Sequence, residues 1–117
     1  MNRIIQTKKG HILLLHIDQE RLVDDLSLQE LHGELKDCLK TCEEKQVVVD
    51  LVRVAFMASA ALGMFVRIRK LCSERGISLK LCSPSTTIEQ TLKTTGLNAL
   101  FELHPDRESA IKSFGPQ

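Results

Sequence analysis

The 117-residue chain predicts an α/β fold, a single domain with a mixed, largely parallel sheet and helices mainly on one side. Two observations carry that prediction. Two apolar runs around Lys8-Lys9-Gly10 read as an N-terminal hairpin. Beyond it, strand-like runs alternate with stretches of helical period whose apolar residues form one stripe each, the pattern of a parallel sheet with right-handed crossovers.

In order, residues 4–7 and 11–17 are the hairpin strands, and the continuous apolar run at 12–15 makes the second one central. Residues 18–25 form a polar loop. Ser27 is placed to cap a helix reaching Glu44, with Glu30 three positions on completing a capping box. Leu28, Leu31, Leu35, Leu39 and Cys42 recur at helical spacing as its buried stripe, and Gly33 falls off it. The unbroken valines of residues 46–51 predict a strand buried on both faces. Residues 60–75 form the second helix, stopped by Gly76. Its core stripe is Ala61, Phe65, Ile68 and Cys72, with Met64 and Leu71 at one edge and Leu62 and Val66 on the flank. Arg67, Lys70 and Glu74 face water. Residues 77–82 alternate as a strand. Ser83 then caps a third helix with Pro84 at its first position. Ile88, Leu92 and Thr95 point inward before Gly96 ends that helix. A short strand at 99–103 and a helix at 107–114 close the chain.

Composition narrows the function. Aromatic residues are 3% of the chain, with no Trp or Tyr, which argues against a base-stacking platform for single-stranded nucleic acid. A net charge of +1 argues against a general polyanion binder. The charge is polarised all the same: ten acids against four bases between Asp18 and Asp50, then six bases against two acids between Met64 and Lys93. Two differently solvated helical faces explain this, or a surface that docks a charged partner. No apolar run is long enough to span a membrane, and Asn2, Arg3 and Lys8 are not followed by a signal-peptide core, which predicts a soluble, cytoplasmic protein. Cys38, Cys42, Cys72 and Cys82 follow no disulfide or zinc spacing and read as buried reduced thiols, with no metal and no cofactor expected.

No phosphate-binding glycine loop or dinucleotide fingerprint occurs, and Ser59 lacks the flanking glycines of a hydrolase nucleophile. Asp50, at the end of a buried strand, reads as an acid that hydrogen-bonds the next loop. An enzyme is not expected. What remains is residues 47–63, VVVDLVRVAFMASAALG, a strand, a link and a serine just before a helix. Ser59 there can cap free backbone N–H groups, and a phosphate on its hydroxyl would sit at the positive end of the helix dipole.

The element order, and three segments within it, resemble the STAS domain of bacterial anti-sigma factor antagonists. Phe56-Met57-Ala58-Ser59-Ala60-Ala61-Leu62-Gly63 is similar to the family's apolar-Asp-Ser-Ser-Gly-Leu-Gly segment. CSERGISLKLCSPS is similar to its helix end, glycine turn, strand and Ser-Pro helix start, and TTGLNALFEL to its Thr/Ser-Gly-Leu…Phe segment. The chain departs from the pattern at Ala58 for Asp, Ala60 for the second serine and Ala61 for Gly. Residues 18–25 lack the family's Gly-Glu-Leu-Asp segment.

The resemblance implies a partner-switching protein that binds an anti-sigma factor with serine kinase activity, or a related STAS-binding regulator. It also implies phosphorylation at the position of Ser59. Ala58, Ala60, Leu62, Val66, Arg67 and Lys70 surround that position and are the expected partner contacts. Three readings follow: a phosphorylation-regulated antagonist, a constitutive STAS binding module in which Ala58 has disabled phosphorylation, and a small-ligand sensor using the cleft at the second helix's start.

Overall fold

The computed structural model describes residues 3–116, so Asn2 lies outside it. A five-stranded sheet forms the centre, in the order β1 (Ile4–Lys9), β2 (Ile12–Ile17), β4 (Gln46–Asp50), β6 (Ser78–Cys82), β7 (Glu102–His104). β1 runs antiparallel to β2 and the other pairs are parallel. The hairpin closes through Gly10-His11, with Lys9 opposite Ile12 and Gly10 at φ +60°, the left-handed geometry that a two-residue loop asks of glycine. The remaining strands are β3 (Arg21–Leu22) and β5 (Phe56–Met57), which pair with each other in parallel away from the main sheet.

Strand alternation sorts the core into two layers. Leu13, Leu15, Val47, Val49 and Leu81 face α1 (Asp25–Thr41), α2 (Ser59–Glu74) and α3 (Thr86–Thr95), meeting Leu31, Leu35, Phe65, Ile68, Ile88 and Leu92. Ile12, Leu14, Val48 and Cys82 point the other way, to Ala110 and Ile111 of the short α4 (Arg107–Lys112). Three helices on one face and one on the other match the expected layering. Cys38, Cys72 and Cys82 are buried, Cys42 is half-buried, and all four are free thiols.

Several element ends differ from expectation. α1 is capped by Asp24, whose carboxylate accepts from Ser27 N–H at 2.9 Å, not by Ser27. Glu30 does not close a capping box; it pairs with Arg3. The helix stops at Thr41, short of Glu44. Ser83 does not cap α3. Ser83 takes φ +58°, outside the extended geometry of an N-cap, and Ser85 accepts from Ile88 N–H at 3.2 Å as the cap. Thr95 is exposed, its hydroxyl turned back to the Thr91 carbonyl. Residues 97–99 form a 3-10 turn that delays β7 to Glu102.

A buried lysine holds α4 to the sheet. Lys80 bonds Ser113 Oγ, pairs with Glu102 at 2.8 Å and lies 4.0 Å from the centre of the Phe114 ring. The hydrogen bonds from Lys80 and then His104 hold the Glu102 carboxyl below its ordinary 4.5. A depressed carboxylate contributes stability above its unfolded pKa and loses it as pH falls through the folded one. The protection of α4 amides against exchange, taken relative to the intrinsic rate at each pH, is therefore expected to fall as the pH drops below 4.5, more than in α1. Glu102→Gln should blunt that acid response. The effect is small, because Glu102 is half exposed to screening water.

Candidate docking surface

The site is built where the parallel strands end. β3 and β5 come from the loops that follow β2 and β4, and they pair Arg21 with Phe56 and Leu22 with Met57. Two further backbone bonds lock this ribbon, Ala55 N–H to the Glu20 carbonyl at 2.7 Å and Ala58 N–H to the Leu22 carbonyl at 2.9 Å. Leu22 and Met57 point into the core and anchor the pair. Phe56 points outward with the Arg21 guanidinium 5.2 Å from its ring centre, a cation–π contact. The last ribbon bond leads directly into α2.

Ser59 is the first helical residue of α2, and the N-cap position belongs to Ala58, at φ −79° and ψ 166°. The expectation that Ser59 caps the helix is corrected: the cap position is one residue earlier, at Ala58, and the Ser59 hydroxyl takes none of the first-turn N–H groups. No side chain caps this helix, and the exposed Ser59 hydroxyl makes no hydrogen bond with any described residue. Around it, Ala58 is half-buried, Ala60 is exposed and Ala61 is fully buried. Arg67 and Lys70 face water as expected, and Val66 is half-buried against the core. Leu62 departs from expectation: it is buried in the main core, not on a flank open to a partner.

The sequence reading missed four exposed apolar side chains on the ribbon, its flanking loops and the start of α1. Val23 follows the β3 residue that holds Ala58, and Leu26 opens α1. Val52 and Phe56 stand on the link from β4 to α2. All four are exposed, Val52 by 65% and Leu26 by 64%. Only Val23 and Leu26 left a signal, as apolar residues in or bordering an otherwise polar loop. Asp50 does what a strand-end acid was expected to do: it is buried and accepts from Val52 N–H at 3.0 Å. Its other oxygen meets His16 Nδ1 at 3.2 Å.

Between α1 and α2 lies a cleft of about 230 Å³ lined by Asp25, Leu28, Gln29, His32, Ala60, Met64 and Arg67. Burial, then the charges of Arg67 and Lys36, push the His32 ring below its ordinary 6.5. The volume falls short of the roughly 300–1,000 Å³ of small-molecule sites. Among the described residues no cluster of metal-ligating side chains occurs, and no helix is long and apolar enough to cross a membrane.

The missing cap is a measurable defect. Ala58→Asp places a carboxylate where it accepts from the open first turn and faces the helix dipole. The variant is expected to gain about 1 kcal/mol, seen in thermal unfolding as a rise of roughly 3–6 °C. An unchanged midpoint would mean that water already serves those N–H groups as well as a side chain would.

The STAS domain family model matches residues 3–110. Solved structures with the same architecture include an anti-sigma-factor antagonist (STAS) domain protein from Planctomyces limnophilus, at TM-score 0.82 and 17% identity, covering 97% of this chain and 98% of that one. An anti-sigma factor antagonist from Mycobacterium paratuberculosis is similar at TM-score 0.74 and 20% identity, over 94% and 91% of the two chains. The anti-sigma factor antagonist SpoIIAA in its unphosphorylated form matches at TM-score 0.77 and 14% identity, over 95% of each chain. At these identities the likeness speaks for the fold, and the family model speaks for descent. A five-stranded sheet with three helices on one face and one on the other, a ribbon leading into α2, and a family match over nearly the whole chain place this protein in the STAS domain family.

Proposed function

We propose that this protein is an anti-sigma factor antagonist of the partner-switching kind, working in the cytoplasm and controlled at Ser59. The observation that carries the proposal is the exposed, unbonded Ser59 hydroxyl at the uncapped start of α2, bordered by small side chains and exposed apolar ones. A partner surface can close onto Ala58, Ala60 and Val66 at short range and cover Val23, Val52 and Phe56, and burial of such apolar area is the usual source of affinity. A phosphate at Ser59 brings about −1.5 to −2 charges into that contact, where desolvation opposes binding, while the helix N-terminus tolerates it within the free protein. SpoIIAA, one of the structural neighbours, is known in a phosphorylated form. The partner is an anti-sigma factor with serine kinase activity or a related STAS-binding regulator.

Ala58 favours a second reading. Without the family's acid beside the serine, the domain binds constitutively and Ser59 is not modified. Capture from the source cell with the immobilised protein, followed by mass spectrometry, tests both. A kinase-like ATPase as prey supports both readings, and phosphate recovered on Ser59 supports the first alone. Repeated absence of such a prey overturns both.

The water-facing pair Arg67 and Lys70 makes a separate expectation. If they flank the contact, binding weakens as salt screens them. Reversing both charges should slow association more than it speeds dissociation. An unchanged association rate for the reversed protein places the interface elsewhere.

A further inference from the structure

Asp50 is a buried carboxylate held from several elements, with the Cys82 thiol of β6 beside it. One oxygen accepts from Val52 N–H at 3.0 Å, and the other meets His16 Nδ1 at 3.2 Å across the β2–β4 pair, where the two residues are in register. Val52 is the residue this bond fixes, and it carries one of the two most exposed large apolar side chains among the described residues. We infer that His16 and Asp50 form a proton-sensitive brace for the loop from β4 to β5, so that charge on the imidazole loosens the hold on Val52.

The argument is one of competition for a single carboxylate. With His16 neutral, its Nδ1–H donates to Asp50 as an ordinary donor, and the full negative charge remains to polarise the Val52 bond. With His16 charged, the bond to Nδ1 joins two ions instead of a neutral donor and a carboxylate, and it draws electron density away from the oxygen that holds Val52. Histidine is the side chain that makes this exchange near neutral pH. The ring is reachable by protons, since His16 keeps part of its surface, whereas Asp50 is nearly closed off.

The surrounding groups leave this pair as the responsive element. On β1, Thr7 Oγ1 lies 3.5 Å from His16 Nε2 and serves as donor or acceptor in either state. On β6, the Cys82 thiol beside Asp50 is pushed up to about 12 by burial and then by the Asp50 charge, so it stays protonated, and Arg107 of α4 acts on it in the opposite sense. On β7, His104 is in register with Cys82, but its ring is engaged by Glu102 at 2.6 Å. In the loops, Asp18 is paired with Arg53 at 3.1 Å. The inference concerns the loop in the free protein and does not depend on what docks there.

The test is a pH titration of the free, isotope-labelled protein by NMR. The Val52 amide proton is expected to move upfield as pH falls, with the same midpoint as the His16 ring. His16→Gln keeps a donor and removes the titration, so the Val52 amide should then stay flat. Asp50→Asn keeps the ring but not the charge, so His16 should titrate without Val52 following. A Val52 amide that is flat in the wild type overturns the inference. So does one that titrates unchanged in His16→Gln, because another group would then be the source. If either variant fails to fold, agreement or disagreement of the two wild-type midpoints decides alone.

Discussion

Leu62→Ala is expected to lose about 2–5 kcal/mol of stability, and Leu62→Asp to leave the chain unfolded at ordinary temperature. The side chain is 6% exposed and belongs to the main core. A domain of this size has only about 5–15 kcal/mol to lose, so the alanine variant alone should shift thermal or urea unfolding conspicuously. The contrast is Val66, four residues on. It is half-buried at the margin of the same core, and Val66→Asp is expected to keep the fold while losing the partner. Circular dichroism of the two aspartate variants checks the pair. A folded Leu62→Asp protein would return Leu62 to the docking surface, and an unfolded Val66→Asp protein would remove Val66 from it.

The misplacement of Leu62 shows where sequence reasoning stops. On a helix of 3.6 residues per turn, Leu62 and Met64 lie about 80° to either side of the Ala61–Phe65–Ile68–Cys72 stripe. Nothing in the pattern says whether the buried arc is wide or narrow. It is wide, because α2 is packed between α1 on one side and β5 and β6 beneath it. The long elements were legible, since valine runs and leucine stripes report burial directly. So were the terminating glycines: Gly96 holds φ +76° at the end of α3. Caps were not, because Ser27 and Ser83 have polar neighbours able to do the same work and Ser59 falls one place inside its helix. Asp24 displaced Ser27, and Ser85 displaced Ser83, which sits in the left-handed region. Two-residue strands such as β3 and β5 carry no periodicity at all, and their pairing is long-range, joining Leu22 to Met57. The ribbon that sets Val23 beside Ala58 was therefore invisible, and with it the apolar half of the surface. Ser59 could be placed within one residue of its position, while its exposure and its unbonded hydroxyl needed the fold.

Ser59→Glu is expected to abolish or sharply weaken partner binding while leaving the fold intact, and Ser59→Ala to bind normally. The two halves rest on different physics. Within the free protein, a carboxylate in the first turn of α2 meets open N–H groups and the positive end of the helix dipole, a gain of roughly 0.3–1 kcal/mol. Ser59 supplies no cap and its hydroxyl holds nothing, so alanine there removes no bond. Within a complex, the same carboxylate is enclosed among Ala58, Ala60 and whatever closes over them, with no base supplied by its own neighbours in sequence. Leaving a charge buried and unpaired costs several kcal/mol, enough to lower affinity by factors of a hundred or more. Binding of the purified partner to the two variants, read beside their unfolding curves, separates these effects. Equal binding of wild type and Ser59→Glu would take Ser59 out of the interface. Phosphorylation is then a distinct question, answered by incubating the kinase and ATP with the native chain and with Ala58→Asp and mapping the modified residue. If loss of the acid is what limits the native chain, the variant carries more phosphate on Ser59. Phosphate on neither protein leaves a constitutive binding module, whose affinity is set by Val23, Val52, Phe56 and Val66 and whose serine is a neutral member of the surface.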